Sequence, residues 1–456
     1  MTSKTTMEDA LNMLKSFITS LKGKGDLSKR QLEFFESGML FRHDDEGSLP
    51  LDHEEANEGY LALDHEEANE YRECLNKLYY SKEIYKLHSR KAVELLMQEA
   101  ILRALDINHE RPDKPFDDRL SEAIKELKSK LQVPPTLWTV HMRIEGLALE
   151  GLPYKFGKVK FCVADEHNLE KLKDKYVAIF DSMTASPFED FIKEHFLGFA
   201  IASVNVSACD GKAAYSAAWH ELRLTMDVIN FYSKMLTSGP GLGAQLYFVG
   251  ELQPTKEFSL AYETNGSSCS YIPREVGSFV PISFKGIEPS RVEKVGFYRI
   301  NEILAKDNRS KIEERILASV QWAGRAAVEL QQRPEEAFLH YAIALETIIL
   351  GNQQNVELTY RLSMRTALLA GGTPEKRAKI KKEVKDLYSI RSKIVHSGLY
   401  EVTDADVGKI RSLAIICIMR VLNEKPFISM IKEQEIDDWF DQAMLSGRLL
   451  GDDAQP

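Results

Sequence analysis

Between about Asn308 and Lys425 the chain is punctuated like a series of short helices, and no other feature constrains its fold so tightly. An amphipathic stretch over roughly Lys311 to Leu330 precedes Pro334, which opens a second one running through Phe338, Leu339, His340 and Tyr341 to Leu350. Gly351-Asn352 ends that helix, and a third, from about Val356 to Leu369, is closed by Gly371-Gly372. Thr373-Pro374 supplies an N-cap and a first-turn proline, with Glu375 beside them, for a helix reaching His396 and ending near Gly398. Thr403-Asp404-Ala405-Asp406 starts the last, whose run Leu413 to Ile418 is apolar on most sides. Five helices with short connections predict a compact bundle.

Residues 1–132 also have helical spacing. Ala10, Leu11, Met13 and Leu14 through Leu21 predict one amphipathic helix, ended near Gly23-Lys24-Gly25, and a longer one is expected from about Tyr71 to Leu105. Near Trp138 the period changes. Val140 to Leu147 and Lys158 to Val163 alternate like antiparallel strands, with more strands expected at Phe199–Val206, Leu246–Val249, Phe258–Tyr262 and Val280–Phe284. A helix from Lys212 to about Met235 interrupts them. Gly239-Pro240-Gly241-Leu242-Gly243 follows that helix and not a strand, so it is read as a terminator and not as a phosphate loop. His220 is read as a packed or surface residue. The expected class is mostly α with an α+β middle region. Its parts are 1–132 helical, 133–305 mixed, 306–430 a helical bundle, and 431–456 an acidic tail with a short helix near Trp439 and Phe440.

Charge bears on partners. The chain is 456 residues long with a net charge of −10, which argues against nucleic acid, but residues 311–425 hold 18 Lys and Arg against 14 Asp and Glu. That segment is positive relative to an acidic remainder, a distribution compatible with RNA contact. No stretch approaches the roughly 18 apolar residues of a membrane span, and Met1 to Asp9 contains no apolar leader core. Five scattered cysteines without a Cys-x-x-Cys pair suit reduced thiols in a cytoplasm.

Leu51 to Glu58 recurs letter for letter as Leu63 to Glu70. Each copy carries Asp, His and two Glu, donors that suit zinc or manganese, but such strings are commonly charged surface. A local duplication that lengthens an acidic segment is the plainer reading, and no metal or cofactor is assigned.

The chemistry-bearing segment is Arg391-Ser392-Lys393-Ile394-Val395-His396. A guanidinium that is always charged and an imidazole that titrates near neutrality suit metal-free cleavage of a phosphodiester. At 100° per residue Arg391 and His396 stand about 140° apart on a helix, whereas Ser392 and His396 share a face. A working site therefore needs a kink near His396 or two such helices meeting across a two-fold axis. The bland reading is a helix-end histidine favoured by the dipole and an arginine tied into an interhelical ion pair.

The order Leu345-Glu346, Tyr360-Arg361-Leu362, Arg365-Thr366-Ala367, then Leu387-Tyr388 through His396-Ser397-Gly398 resembles a HEPN domain, in particular the Apea-like HEPN domains of bacterial defence and abortive-infection proteins. The resemblance covers about residues 308–425. It implies a metal-independent endoribonuclease, usually dimeric, with Arg391 and His396 as the motif pair, Ser392 as the polar neighbour and Glu346 as the acidic residue of the facing helix. Glu346 would orient Arg391 or His396, or else pair structurally with Arg361 or Arg365. Ser397 stands between the histidine and Gly398, where many such domains have the glycine directly. Residues 1–305 would sense a trigger or restrain the nuclease. The alternative is a non-catalytic HEPN module for nucleotide binding or dimerisation.

Overall fold

The structure is a computed structural model; it describes residues 6–23, 65–81, 84–106, 113–148, 153–167, 169–170, 190, 193–236, 246–248, 255–262, 269–276, 282–283, 293–330, 333–351, 357–397 and 401–446. The fold is mostly helical, with a small antiparallel sheet in the middle. None of the described helices is long and apolar enough to cross a membrane. The chain divides into two compact units. One comprises Met1–Val140 with Asn205–Trp219, the other His141–Val204 with His220–Pro456.

The first unit gathers α1 (Met7–Gly23), α2 (His65–Tyr79), α3 (Arg90–Leu105) and α4 (Phe116–Leu131). Leu11, Leu14, Ile18 and Leu21 recur at three- and four-residue steps on α1 and are buried with Leu75, Leu78, Met97, Ile101 and Leu127. The single helix expected over Tyr71–Leu105 is instead two. Polar groups make the break: Ser81 Oγ donates to Leu78 O at 2.8 Å, and Ser89 caps α3 by accepting from Ala92 N at 3.2 Å. Asp210 reinforces the start of α3, because its carboxylate accepts from Ser89 N at 2.8 Å. Apolar periodicity carries across such a break, so periodicity alone hid it. Of the duplicated octapeptides, the first copy lies outside the described residues, while His65 to Glu70 form the first turns of α2.

The strands are β1 (Thr136–Glu145), β2 (Leu147–Ala148), β3 (Tyr154–Phe156), β4 (Val159–Val163), β5 (Ala200–Ala208), β6 (Tyr247–Phe248), β7 (Thr255–Tyr262), β8 (Cys269–Val276) and β9 (Ile282–Ser283). The main sheet has the order β3-β4-β5-β1-β6, and its pairs β3–β4, β4–β5 and β1–β6 are antiparallel. Lys160 stands opposite Ser203 and Phe161 opposite Ala202, so the alternation read from the sequence is the one that buries Phe161. Strand β8 escapes sequence reading because Pro273 interrupts its pattern; among the described residues it pairs only with β7, in a two-stranded ribbon.

Helix α5 (Gly211–Leu236) follows β5. The second unit continues with α6 (Phe297–Ala305), α7 (Lys311–Glu329), α8 (Pro334–Leu350), α9 (Leu358–Ala370), α10 (Pro374–Ser397), α11 (Asp404–Asn423) and α12 (Glu433–Ser446). Two helix starts fall where the sequence places them: Thr373 Oγ1 accepts from Lys376 N at 3.3 Å, and Thr403 Oγ1 accepts from Asp406 N at 3.2 Å. Ser310 and Glu313 add a reciprocal capping box at 3.2 and 2.9 Å. Helix α7 approaches α5 so closely that a Cβ on Gly324 would lie 1.8 Å from the Asp227 carbonyl oxygen, so no larger residue fits there.

The C-terminus of α8 is held unusually well. Its last carbonyls have no partner within the helix. Arg315 of α7 donates from Nε to Thr347 O and from Nη2 to Ile348 O, both at 3.0 Å, and Arg365 of α9 reaches Ile349 O at 3.4 Å. Gly351, at φ +59°, turns the chain against the Arg315 guanidinium. Asp437 neutralises Arg365 from α12, whose Ile436 and Phe440 are fully buried. Part of the segment expected as an acidic tail is thus packed structure.

Candidate functional site

Glu346 and Arg391 come from different helices, α8 and α10, and they meet. Leu345 and Ile348 face inward and are fully buried, which fixes the rotation of α8 and brings Glu346 to the boundary of the core. On α10, Val384, Leu387 and Tyr388 are buried, and one turn further on Arg391 lies at the same boundary. Arg391 Nε stands 3.3 Å from Glu346 Oε1, with side chains 30% and 20% exposed. The two form an ion pair without a well-aligned hydrogen bond. The guanidinium carbon also lies 5.8 Å from the centre of the Tyr388 ring. Burial pushes the Tyr388 phenol pKa up, and the neighbouring Glu346 carboxylate pushes it further. Tyr388 therefore stays protonated, with its hydroxyl beside the carboxylate that holds the arginine.

The structure separates the other two residues of the expected site from this cluster. Helix α10 runs unbroken from Pro374 to Ser397, so it does not end between Arg391 and His396. Ser392 and His396 are exposed on another face of the same helix, about 140° round from Arg391 in the case of the histidine. Val395 beside them is 51% exposed. Arg365, one of the two structural partners considered for Glu346, is engaged instead with Asp437 and with Asp441 at 3.5 Å.

A second polar cluster was invisible in the sequence. Asp227 of α5, almost fully buried, accepts from Arg325 Nε at 3.1 Å and from Gln321 Nε2 at 3.2 Å, both on α7. Burial pushes its pKa up to about 6, against the lowering effect of Arg223 and Arg325. Desolvation outweighs the ion pairs here, as it does when a charge is taken fully out of water. Arg325 lies over Trp322 at 5.1 Å, Trp322 stands 5.0 Å from the His340 ring, and His340 Nδ1 meets Glu329 at 2.5 Å. The only sequence signal for this chain of contacts was the spacing of Gln321, Trp322, Arg325 and Glu329 on one side of α7. Asp227 itself lay in a helix read for its apolar residues.

Among the described residues no group of three or more His, Cys, Asp and Glu is placed to hold a metal ion. Comparison of the chain with family models, with curated proteins and with solved structures finds no match in any of the three.

Proposed function

We propose that this chain is a metal-independent, HEPN-like endoribonuclease whose working site is completed by a second copy. The observation that carries the reading is Arg391, held at 3.3 Å by Glu346 on a helix whose exposed face presents Ser392 and His396 one turn apart. Arg391 offers a fixed positive charge for the scissile phosphate, and Glu346 and Tyr388 set its direction. His396 takes the proton of the ribose 2′-OH, and the 2′ oxygen attacks phosphorus. The P–O5′ bond breaks and the 5′ oxygen leaves with the proton returned by His396, so the ends are a 2′,3′-cyclic phosphate and a 5′-hydroxyl. Ser392 positions the phosphate from the face it shares with His396.

The angle of about 140° between Arg391 and His396 on one continuous helix favours pairing the arginine of one copy with the histidine of another. Exposed Val395 beside His396 suits an interface. The test is RNA integrity in cells and in purified reactions with EDTA, comparing wild type with Arg391→Ala and His396→Ala. Both variants should leave RNA intact. Wild type that never cuts RNA, or variants that cut it equally well, would remove the proposal. Mixing the two inactive variants should then restore about a quarter of the activity, because half the dimers carry one intact composite site. No recovery would place each site within one copy.

A further inference from the structure

The positive charge of the bundle is concentrated on one helix. Pro374 to Ser397 carries eight Lys and Arg against three Asp and Glu, in a chain whose net charge is −10. Two of them, Lys382 and Lys385, lie on the face of α10 that carries His396. At 100° per residue, Lys382, Lys385, Ser389, Ser392 and His396 fall within an arc of about 80°. All five are exposed. The acidic residues that follow the first turn stand off this stripe: Glu383 lies about 160° and Asp386 about 100° round from Lys385. Lys382 and Lys385 make no ion pair with any described residue, whereas the basic side chains of other helices are widely committed, Arg325 to Asp227 and Arg365 to Asp437 among them. From Lys382 to His396 the stripe is about 21 Å long at 1.5 Å per residue.

We propose that this stripe is the track on which a single-stranded RNA backbone lies, with Lys382 and Lys385 holding successive phosphates and leading the strand to His396. The inference rests on the ribonuclease reading for its choice of polymer, but it assigns residues that the catalytic motif does not contain. A row of uncommitted ammonium groups beside small hydroxyls binds phosphates without reading bases, so binding should be independent of sequence. Each lysine that neutralises a phosphate releases a counterion, which makes its contribution visible as salt dependence.

The experiment uses the full-length His396→Ala chain, which keeps the RNA intact, and compares it with the same chain carrying Lys382→Gln and Lys385→Gln. Anisotropy of a labelled 20-nucleotide single-stranded RNA is read across a salt series. Both lysines are exposed, and urea unfolding of each chain checks that the fold is unchanged. The slope of log affinity against log salt should become shallower by about 1.4, and affinity near 0.1 M salt should fall by about tenfold. A DNA strand of equal length should compete nearly as well as RNA in this His396→Ala chain, since neither lysine reads the 2′-hydroxyl. In the cleaving chain the double substitution should raise KM and leave kcat near its original value. Binding that is absent, or that is indifferent to both lysines, overturns the track, including the case where the stripe serves a protein partner. Failure of the ribonuclease reading is separate: it appears as wild type that never cuts RNA, with the anisotropy result unaffected.

Discussion

Arg365 and Arg391 belong to consecutive helices of one bundle, and each faces a carboxylate from another helix, yet their surroundings are opposite. Arg365 is 2% exposed and its partner Asp437 6%; the guanidinium also reaches Ile349 O and packs 5.0 Å from the Phe440 ring. Arg391 is 30% exposed, faces one carboxylate at 3.3 Å, and makes no hydrogen bond among the described residues. The first arginine satisfies carbonyls at a helix end. The second faces Glu346 alone, and its other donors meet none of the described residues. An ion pair becomes structural or functional through what else its donors meet, and sequence spacing does not record that.

The comparison can be broken most forcefully at the buried pair. Arg365→Ala leaves Asp437 without its cation and Ile349 O without its arginine donor, and should cost about 3–5 kcal/mol. Urea unfolding measures it; a loss under about 1 kcal/mol would make the two arginines alike. Arg391→Ala should lower kcat/KM on RNA by about 10²- to 10³-fold, the range for losing one fixed charge-stabilising donor. Its stability should change by less than about 1 kcal/mol, since a partly exposed pair contributes little. A large loss of stability would put Arg391 in the structural class.

A third, smaller effect comes from the α5–α7 contact. The folded Asp227 carboxyl titrates near pH 6, above its ordinary value of 3.8, so the folded state holds the proton more tightly than the unfolded one. Its favourable contribution is present below about pH 4 and is lost as pH rises through 6. Asp227→Asn should flatten the pH dependence of unfolding between pH 4 and 6 by about 2 kcal/mol, and an unchanged profile would show the carboxylate to be satisfied by its arginines. Smallest of all, Glu346→Gln keeps the shape of the Arg391 contact and removes its charge. A drop of about tenfold or less in kcat/KM is expected, with stability nearly unchanged. Activity lost as completely as in Arg391→Ala would make Glu346 more than a positioning residue.

Much of the bundle was legible because its ends are marked by groups with local chemistry: Ser310, Pro334, Gly351, Thr373 and Thr403 all act at helix termini. The approach of Glu346 to Arg391 was one of several pairings left open for Glu346 by the family resemblance, with Arg361 and Arg365 as structural alternatives. Other features depend on groups far apart in sequence. The break at Tyr80–Ser89 is reinforced by Asp210, the Asp227 cluster joins residues 98 positions apart, and β8 conceals itself behind Pro273. The continuity of α10 past His396 was open as well, because Ser397-Gly398 serves as an end without saying how far the last turn extends.

Asp437 has one further consequence, for anyone who shortens this protein. A stop codon after Met430 would remove the counter-charge of Arg365 and the aromatic cover of Phe440, loosening the helix that carries Glu346. In a truncation screen the last helix would then score as essential through its hold on Arg365, and not through any residue of the proposed site.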